Sequence, residues 1–349
     1  MIYFQCDYTE GAHPEIMKRL NETNLEQTPG YGTDYHCDRA RQLIRTYCNA
    51  PDASVEFLVG GTQANALVIA ATLRPHQGVI SCDSGHINVH ESGAIESYGH
   101  KVLTVPGHLG KMTAQQIDDT IVGHYEDPTA EHMVQPGMVY ISFPTEAGTL
   151  YSKAELTAIS EVCRKHGVPL FVDGARMGYG LMSEDNDLTL EDFAKLTDVF
   201  YIGGTKVGAL FGEAIVITNN SLKKDFRYLI KQHGGMLAKG RLLGIQFETL
   251  FEPTETGCLY ADISGHAIQQ AMRIKKAFAE AGFEFAPESP TNQQFPVLNQ
   301  AQIDQLKDDY AFEIFSKLDE DAYQVRFCTS WATVAENVDK LIEDIKKLK

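Results

Sequence analysis

From about residue 54 the chain alternates short apolar runs with longer stretches of helical pattern. No other feature limits the fold so strongly. Strands that are apolar throughout need cover on both faces, and the helices that connect parallel strands supply it. The pattern predicts strands over 55–60, 78–82, 101–105, 137–142 and 168–172, with helices over 63–73, 88–98, 113–124 and 153–166. Two further apolar runs, 198–203 and 214–218, flank the glycine-dense segment Gly203-Gly204-Thr205-Lys206-Val207-Gly208. Helical patterns follow over 221–250 and 256–281, then strand-like pieces at 292–298, 310–316 and 323–328 and a final helix at 334–348.

The expected class is α/β. A chain of 349 residues, 43% of them hydrophobic, is long enough for its core to split. The expected division is an N-terminal arm and large domain over 1–250 and a small α+β domain over 251–349, on which part of the N-terminal segment packs.

Charge narrows the partners. A formal net charge of −17 opposes binding to nucleic acid, whose affinity comes from clustered Lys and Arg on phosphates. A small-molecule substrate fits better. The seven cysteines (Cys6, Cys37, Cys48, Cys82, Cys163, Cys258, Cys328) show no C-x-x-C pairing, which points to a reducing cytosol and to neither a disulfide framework nor a zinc site. A basic-then-apolar leader and a run of 18 or more apolar residues are both missing from the sequence, so no membrane is expected.

Three segments carry chemistry. Leu58 to Ala66 reads as strand, small-residue turn and helix start, and its free N–H groups at Gly61 and Thr62 would cup a phosphate. A tight βα turn with Thr62 as helix cap is the plainer alternative. The segment matches neither a Walker A loop nor G-x-G-x-x-G, so nucleoside triphosphates and dinucleotides are not indicated. Asp173 ends an apolar strand, where ligands of open α/β sheets bind. It is either a cap for the next turn, with Arg176 as ion partner, or the carboxylate that keeps a pyridine nitrogen protonated. Lys206 follows the apolar run 199–202 and is either a turn lysine or an amine desolvated into a nucleophile. His86 and His90 have the spacing of one helix face, which could invite a metal, but no third ligand is suitably spaced. A histidine lying flat on a cofactor ring explains the pair more simply.

Taken in order and spacing, Gly60-Gly61-Thr62-Gln63-Ala64-Asn65, Ser84-Gly85-His86-Ile87 with His90-Glu91-Ser92-Gly93-Ala94, Asp173-Gly174-Ala175-Arg176 and Gly203-Gly204-Thr205-Lys206 resemble the threonine aldolase and β-eliminating lyase family. Cys6-Asp7-Tyr8-Thr9, Tyr31-Gly32-Thr33-Asp34 and Val325-Arg326-Phe327-Cys328 extend the likeness to both ends of the chain. The resemblance implies an aspartate-aminotransferase-like fold, with a transferase-like large domain that depends on pyridoxal 5'-phosphate. It also implies a homo-oligomer, dimer or tetramer, with active sites at the dimer interface. By that likeness Lys206 holds the cofactor as a Schiff base, Asp173 pairs with the ring nitrogen, His86 stacks on the ring, and Gly61 and Thr62 bind the phosphate. Arg326 takes the substrate carboxylate, a task that suits its planar fork. Arg176 supports that carboxylate or the cofactor hydroxyl, and Tyr31 reaches in from the neighbouring subunit.

Two positions depart from the family pattern. Phe143-Pro144-Thr145-Glu146-Ala147-Gly148 stands where many threonine aldolases carry Asn-Thr-His, which gives Glu146 or a water the place of that histidine. Cys6 stands where the family has a serine that helps hold the carboxylate, and a thiol is the poorer donor. The expected reaction is cleavage of a β-hydroxy amino acid between Cα and Cβ. A β-eliminating lyase giving a keto acid and ammonia is the enzymatic alternative, and a cofactor-binding protein without turnover is the non-enzymatic one.

Overall fold

The computed structural model describes residues 1–348. A short strand, β1 (Ile2–Tyr3), precedes those marked out by the apolar runs: β2 (Ser54–Leu58), β3 (Gln77–Cys82), β4 (Lys101–Val105), β5 (Gln135–Ser142), β6 (Leu170–Asp173), β7 (Val199–Gly203) and β8 (Glu213–Ile217). Strands β2 to β8 form one sheet in the order β2-β8-β7-β6-β5-β3-β4. Only β8 runs against its neighbours; every other pairing is parallel. Every residue of β7 and β8 is buried, as full cover on both faces requires.

This topology decides where a site can lie. The parallel strands all end on one edge of the sheet, and β8 begins there, so the loops after Leu58, Cys82, Ser142, Asp173 and Gly203 converge with Glu213. One glycine is dictated by this crowding: a Cβ on Gly174 would stand 1.9 Å from the Tyr201 carbonyl oxygen.

Helical segments depart from the sequence pattern where the backbone turns left-handed. The helix expected over 88–98 is two short ones, His86–Val89 and Ala94–Ser97, because Ser92 and Gly93 both adopt positive φ (52° and 74°) between them. The pattern over 221–250 is three helices, Asn220–Lys223, Phe226–Gln232 and Arg241–Phe251. Asp225 (φ 61°) and Gly234 (φ 74°) make the breaks. Helices Pro14–Glu22 and Tyr35–Tyr47 lie in the N-terminal stretch, ahead of the apolar alternation that begins at about residue 54. Asp34 starts the second of them by accepting from the Cys37 N–H at 2.9 Å.

Apolar clusters cover both faces of the sheet. A third cluster gathers Phe4, Ile274, Phe278, Val325, Phe327, Val338 and Leu341. Helix Leu259–Glu280 joins the first cluster through Tyr260, Ile263 and Ala267 and the third through Ile274 and Phe278, so it ties the two clusters together. Strand β1 pairs with Tyr310–Ala311. Strand Ala322–Cys328 lies antiparallel to Glu313–Asp319, with Glu313 directly opposite Arg326. No helix among the described residues is long and apolar enough to cross a membrane.

Candidate active site

The convergent loops enclose a cavity of about 340 Å³, lined by Gly60, Gly61, Thr62, His86, Glu146, Asp173, Arg176, Tyr201, Thr205, Lys206 and Glu213 among others. Helix Gly61–Thr72 points its start at this space. Its N-cap, Gly60, contributes no side-chain hydrogen bond, so the first N–H groups keep their donors for an anion. A Cβ on Gly61 would come within 3.0 Å of the Tyr201 hydroxyl, and glycine keeps that approach open.

Asp173 is 4% exposed and fully hydrogen-bonded. Its Oδ2 accepts from the Tyr140 hydroxyl at 2.7 Å and the Asn65 amide at 2.9 Å. Its Oδ1 accepts from the Ala175 N–H at 2.9 Å and from the Tyr201 hydroxyl. Burial works against its charge, but the His86 cation and the Tyr201, Ala175 and Tyr140 donors outweigh it and hold the carboxyl below its ordinary range. It is therefore a fixed anion at neutral pH.

Lys206 follows β7 and brings its amine to the same cavity. No hydrogen bond or ion pair to that amine is formed among the described residues; the Tyr8 ring, 5.9 Å away, is its recorded neighbour. Burial and the Arg176 charge lower its pKa against the pull of Asp7, Asp173 and Glu213, which favours the neutral, nucleophilic form. Arg176 is not the partner of Asp173. It binds Asp7 through two nitrogens, Nε to Oδ2 at 2.7 Å and Nη2 to Oδ1 at 3.0 Å. Burial resists the Asp7 charge, but Arg176, Lys206 and the Asn292 amide bring that carboxyl down to about 2.

His86 enters the cavity from the short helix after β3. Its Nδ1 lies 2.8 Å from Oε1 of Glu91, which also accepts from the Asn65 amide at 2.7 Å. One chain of contacts therefore runs His86, Glu91, Asn65, Asp173. Burial disfavours protonation of His86, yet the Glu91 hydrogen bond and the Asp173 and Glu91 charges raise its pKa. Glu146 accepts from the His86 N–H at 3.0 Å and from the Ser142 hydroxyl at 2.7 Å. Burial raises its pKa despite the Ser142 donor. His90 sits with its ring 5.5 Å from that of His86. Among the described residues no three His, Cys, Asp or Glu side chains are grouped to hold a metal.

Three candidates stand outside the cavity lining. Arg326 donates from Nη1 to the Gln293 side chain at 3.1 Å and from Nη2 to the Gln5 carbonyl at 3.0 Å, and it is paired with Glu313. Its charge still acts on Tyr8, a cavity residue. Cys6, partly buried, follows Gln5 directly. Tyr31 is 48% exposed and faces a separate small pocket near Arg41 and Arg227.

The sequence profile described as beta-eliminating lyase matches residues 4–310, most of the chain and all of this cavity. The chain belongs to the β-eliminating lyase family. A low specificity L-threonine aldolase from Pseudomonas aeruginosa is 31% identical over 350 residues, covering 98% of this chain and 96% of that protein. A solved structure of a threonine aldolase from Leishmania major is 43% identical with a TM-score of 0.96, over 100% of this chain and 99% of that one. An aspartate aminotransferase from Thermus thermophilus, 13% identical over 100% of this chain and 92% of its own, superposes with a TM-score of 0.73 and shows the shared fold. The fold is thus the aspartate-aminotransferase-like one.

Within this member of the β-eliminating lyase family, three carboxylates belong to the site beyond those singled out by sequence reasoning: Asp7, Glu91 and Glu213. Asp7 and Glu91 fall inside the motif segments, and their neighbours were the only signal for them. Glu213 opens an apolar strand, and a lone charge at such a position was the available sign.

Proposed function

We propose that this chain is a carbon–carbon lyase that splits a small β-hydroxy amino acid, of the threonine or allo-threonine kind, into glycine and an aldehyde with pyridoxal 5'-phosphate as cofactor. One observation supports it above all: the uncapped helix start at Gly61–Thr62, the ionised Asp173 and the unpaired Lys206 amine face the same cavity. These donors suit the cofactor. The helix start meets a phosphate, the carboxylate meets a protonated pyridine nitrogen, and the amine meets an aldehyde. When bound, the cofactor supplies an electron sink for charge left on the substrate Cα.

The chain's own groups do the rest. Arg326, with support from Arg176, holds the substrate carboxylate and so fixes which bond to Cα stands ready to break; Cys6 lies beside that place. His86 would lie against the cofactor ring, and against the effect of burial Glu91 and Asp173 hold its pKa up. Glu146 and His86 are the groups placed for the proton of the β-hydroxyl. A partner subunit of a homo-oligomer would bring Tyr31 to the cavity.

Glu146 also supports a second reading. In its acid form Glu146 can protonate the β-oxygen as a leaving group while the Lys206 amine takes the α-proton, which is β-elimination. With L-threonine or L-allo-threonine the expected result is glycine and acetaldehyde in equal amounts, with little 2-oxobutanoate. Chromatography of the products decides: keto acid in excess over glycine overturns the aldolase reading and leaves the cofactor assignment standing.

The pairing of Arg326 with Glu313 yields a further expectation. An incoming carboxylate competes with Glu313, whose side chain is 45% exposed. The Arg326 side chain is only 13% exposed, so the pair is taken at about 1 kcal/mol, the upper end for a surface pair, and Glu313→Gln should lower KM by about fivefold with kcat unchanged. Initial-rate measurements check this, and a raised KM would mean that Glu313 instead holds Arg326 in its working position.

A further inference from the structure

We infer that Glu213 is a positioning residue of this site: its carboxyl group ties the Gly204–Thr205 turn to β8 and so holds Lys206 in place. The inference rests on the reading that Lys206 carries the cofactor. Glu213 is 3% exposed at the start of an otherwise apolar strand. In register it lies between Leu58 and Gly203, the last residues of the strands that lead to the Gly61–Thr62 helix start and to Lys206. Its Oε2 accepts from the Gly204 N–H at 3.0 Å and its Oε1 from the Thr205 hydroxyl at 2.8 Å.

Neutral groups hold the rest of this turn. The Gly212 carbonyl accepts from the Gly204 and Thr205 N–H groups, the Tyr260 hydroxyl donates to the Gly203 carbonyl at 2.9 Å, and the Tyr179 hydroxyl donates to the Lys206 carbonyl. Glu213 is the one carboxylate among these holding groups. A buried carboxylate is costly where an amide would suffice, and the nearby basic group whose pull offsets part of that cost is Lys206.

The hydrogen-bond directions fit an anion. Thr205 Oγ already accepts from the Gly212 N–H at 3.0 Å, so the proton of its hydroxyl goes to Glu213. Four ionisable groups face the carboxyl: Lys206, Asp173, Tyr201 and Tyr260. Burial pushes Glu213 up to about 8, against the pull of Thr205, Lys206 and the Gly204 N–H. The carboxyl therefore passes between acid and anion near neutral pH, and its anionic form favours the protonated state of the nitrogen at 206.

The test uses the holoenzyme and Glu213→Gln, which keeps size and removes the charge. The absorbance of the bound cofactor is followed against pH, and cofactor capture is timed after its removal and return. The midpoint of the absorbance titration should fall by about one unit, the lower end of what a neighbouring charge does. Capture should slow about tenfold or more, as displacement of a reacting group would cause. Borohydride trapping reports which lysine is modified. Trapping at Lys206 with wild-type midpoint and wild-type capture overturns the role of Glu213 alone, whereas trapping on another lysine overturns the Lys206 assignment and this inference with it. Should Glu213→Gln fail to fold, Thr205→Val removes one donor and keeps the carboxylate. Slower capture in that variant supports the tie, and unchanged capture overturns it.

Discussion

Lys206→Ala should yield a folded protein in which borohydride traps no cofactor on the peptide containing residue 206, and whose turnover is lost. The reason is chemical: only a primary amine can hold an aldehyde covalently, and Lys206 is the amine in this cavity. Its surroundings favour the reactive form, since burial and the Arg176 charge lower its pKa and no acceptor among the described residues engages it. A loss of at least about a hundredfold is expected, the lower end of what one positioned proton-transfer group contributes. Stability should hardly suffer, because the turn is held by the backbone groups of Gly204 and Lys206 and by Thr205, none of which the substitution removes. Mass spectrometry of the trapped, digested wild-type protein is the check. A modified peptide without residue 206 would refute the assignment.

Much of the sheet was legible because its strands are apolar on both faces. The run 101–105 coincides with β4, and 78–82, 198–203 and 214–218 lie within a residue of β3, β7 and β8. Helix limits were less so, since the breaks at Ser92, Gly93, Asp225 and Gly234 rest on single residues in left-handed conformation, which apolar periodicity does not register. In the site, Lys206, Asp173, Gly61, Thr62, His86 and Glu146 could be gathered from their motifs, and they line one cavity.

What joins them was hidden. Asp7 meets Arg176 across 169 positions in sequence, and Asn65 links Asp173 to Glu91 across the sheet edge. Such partners arise from the topology and not from local spacing, so the alternative that made Arg176 the ion partner of a capping Asp173 gives way to its pairing with Asp7. Arg326 and Tyr31 show the same limit from the other side. One is held by Glu313 beside the cavity, and the other lies on a surface that a second copy of the chain would have to bring near.

Asp173→Asn should fold and lose most of its turnover. In the wild type all four groups that contact the carboxyl are donors: the hydroxyls of Tyr140 and Tyr201, the Asn65 amide and the Ala175 N–H. An amide offers one acceptor oxygen, and its NH₂ group must then face two of those donors: on one side the Ala175 N–H, which cannot accept, or on the other the Asn65 amide, which can turn its oxygen inward only by giving up its hydrogen bond to Glu91. On the proposed reading the ring nitrogen also loses the charge that keeps it protonated, while His86 loses one of the charges that raise its pKa. Removing one partner of a buried pair typically costs about 3–5 kcal/mol, and each ~1.4 kcal/mol is tenfold in rate, so turnover should fall roughly hundreds-fold or more. Circular dichroism separates this from unfolding, and the cofactor content of the purified variant separates weak binding from weak catalysis. Tyr140→Phe is the control, since it removes a single donor and keeps the charge, and its loss should be much smaller. If Asp173→Asn instead turned over within a few-fold of wild type, the carboxylate would be no more than an anchor for the Ala175 turn, and the ring nitrogen would need another partner.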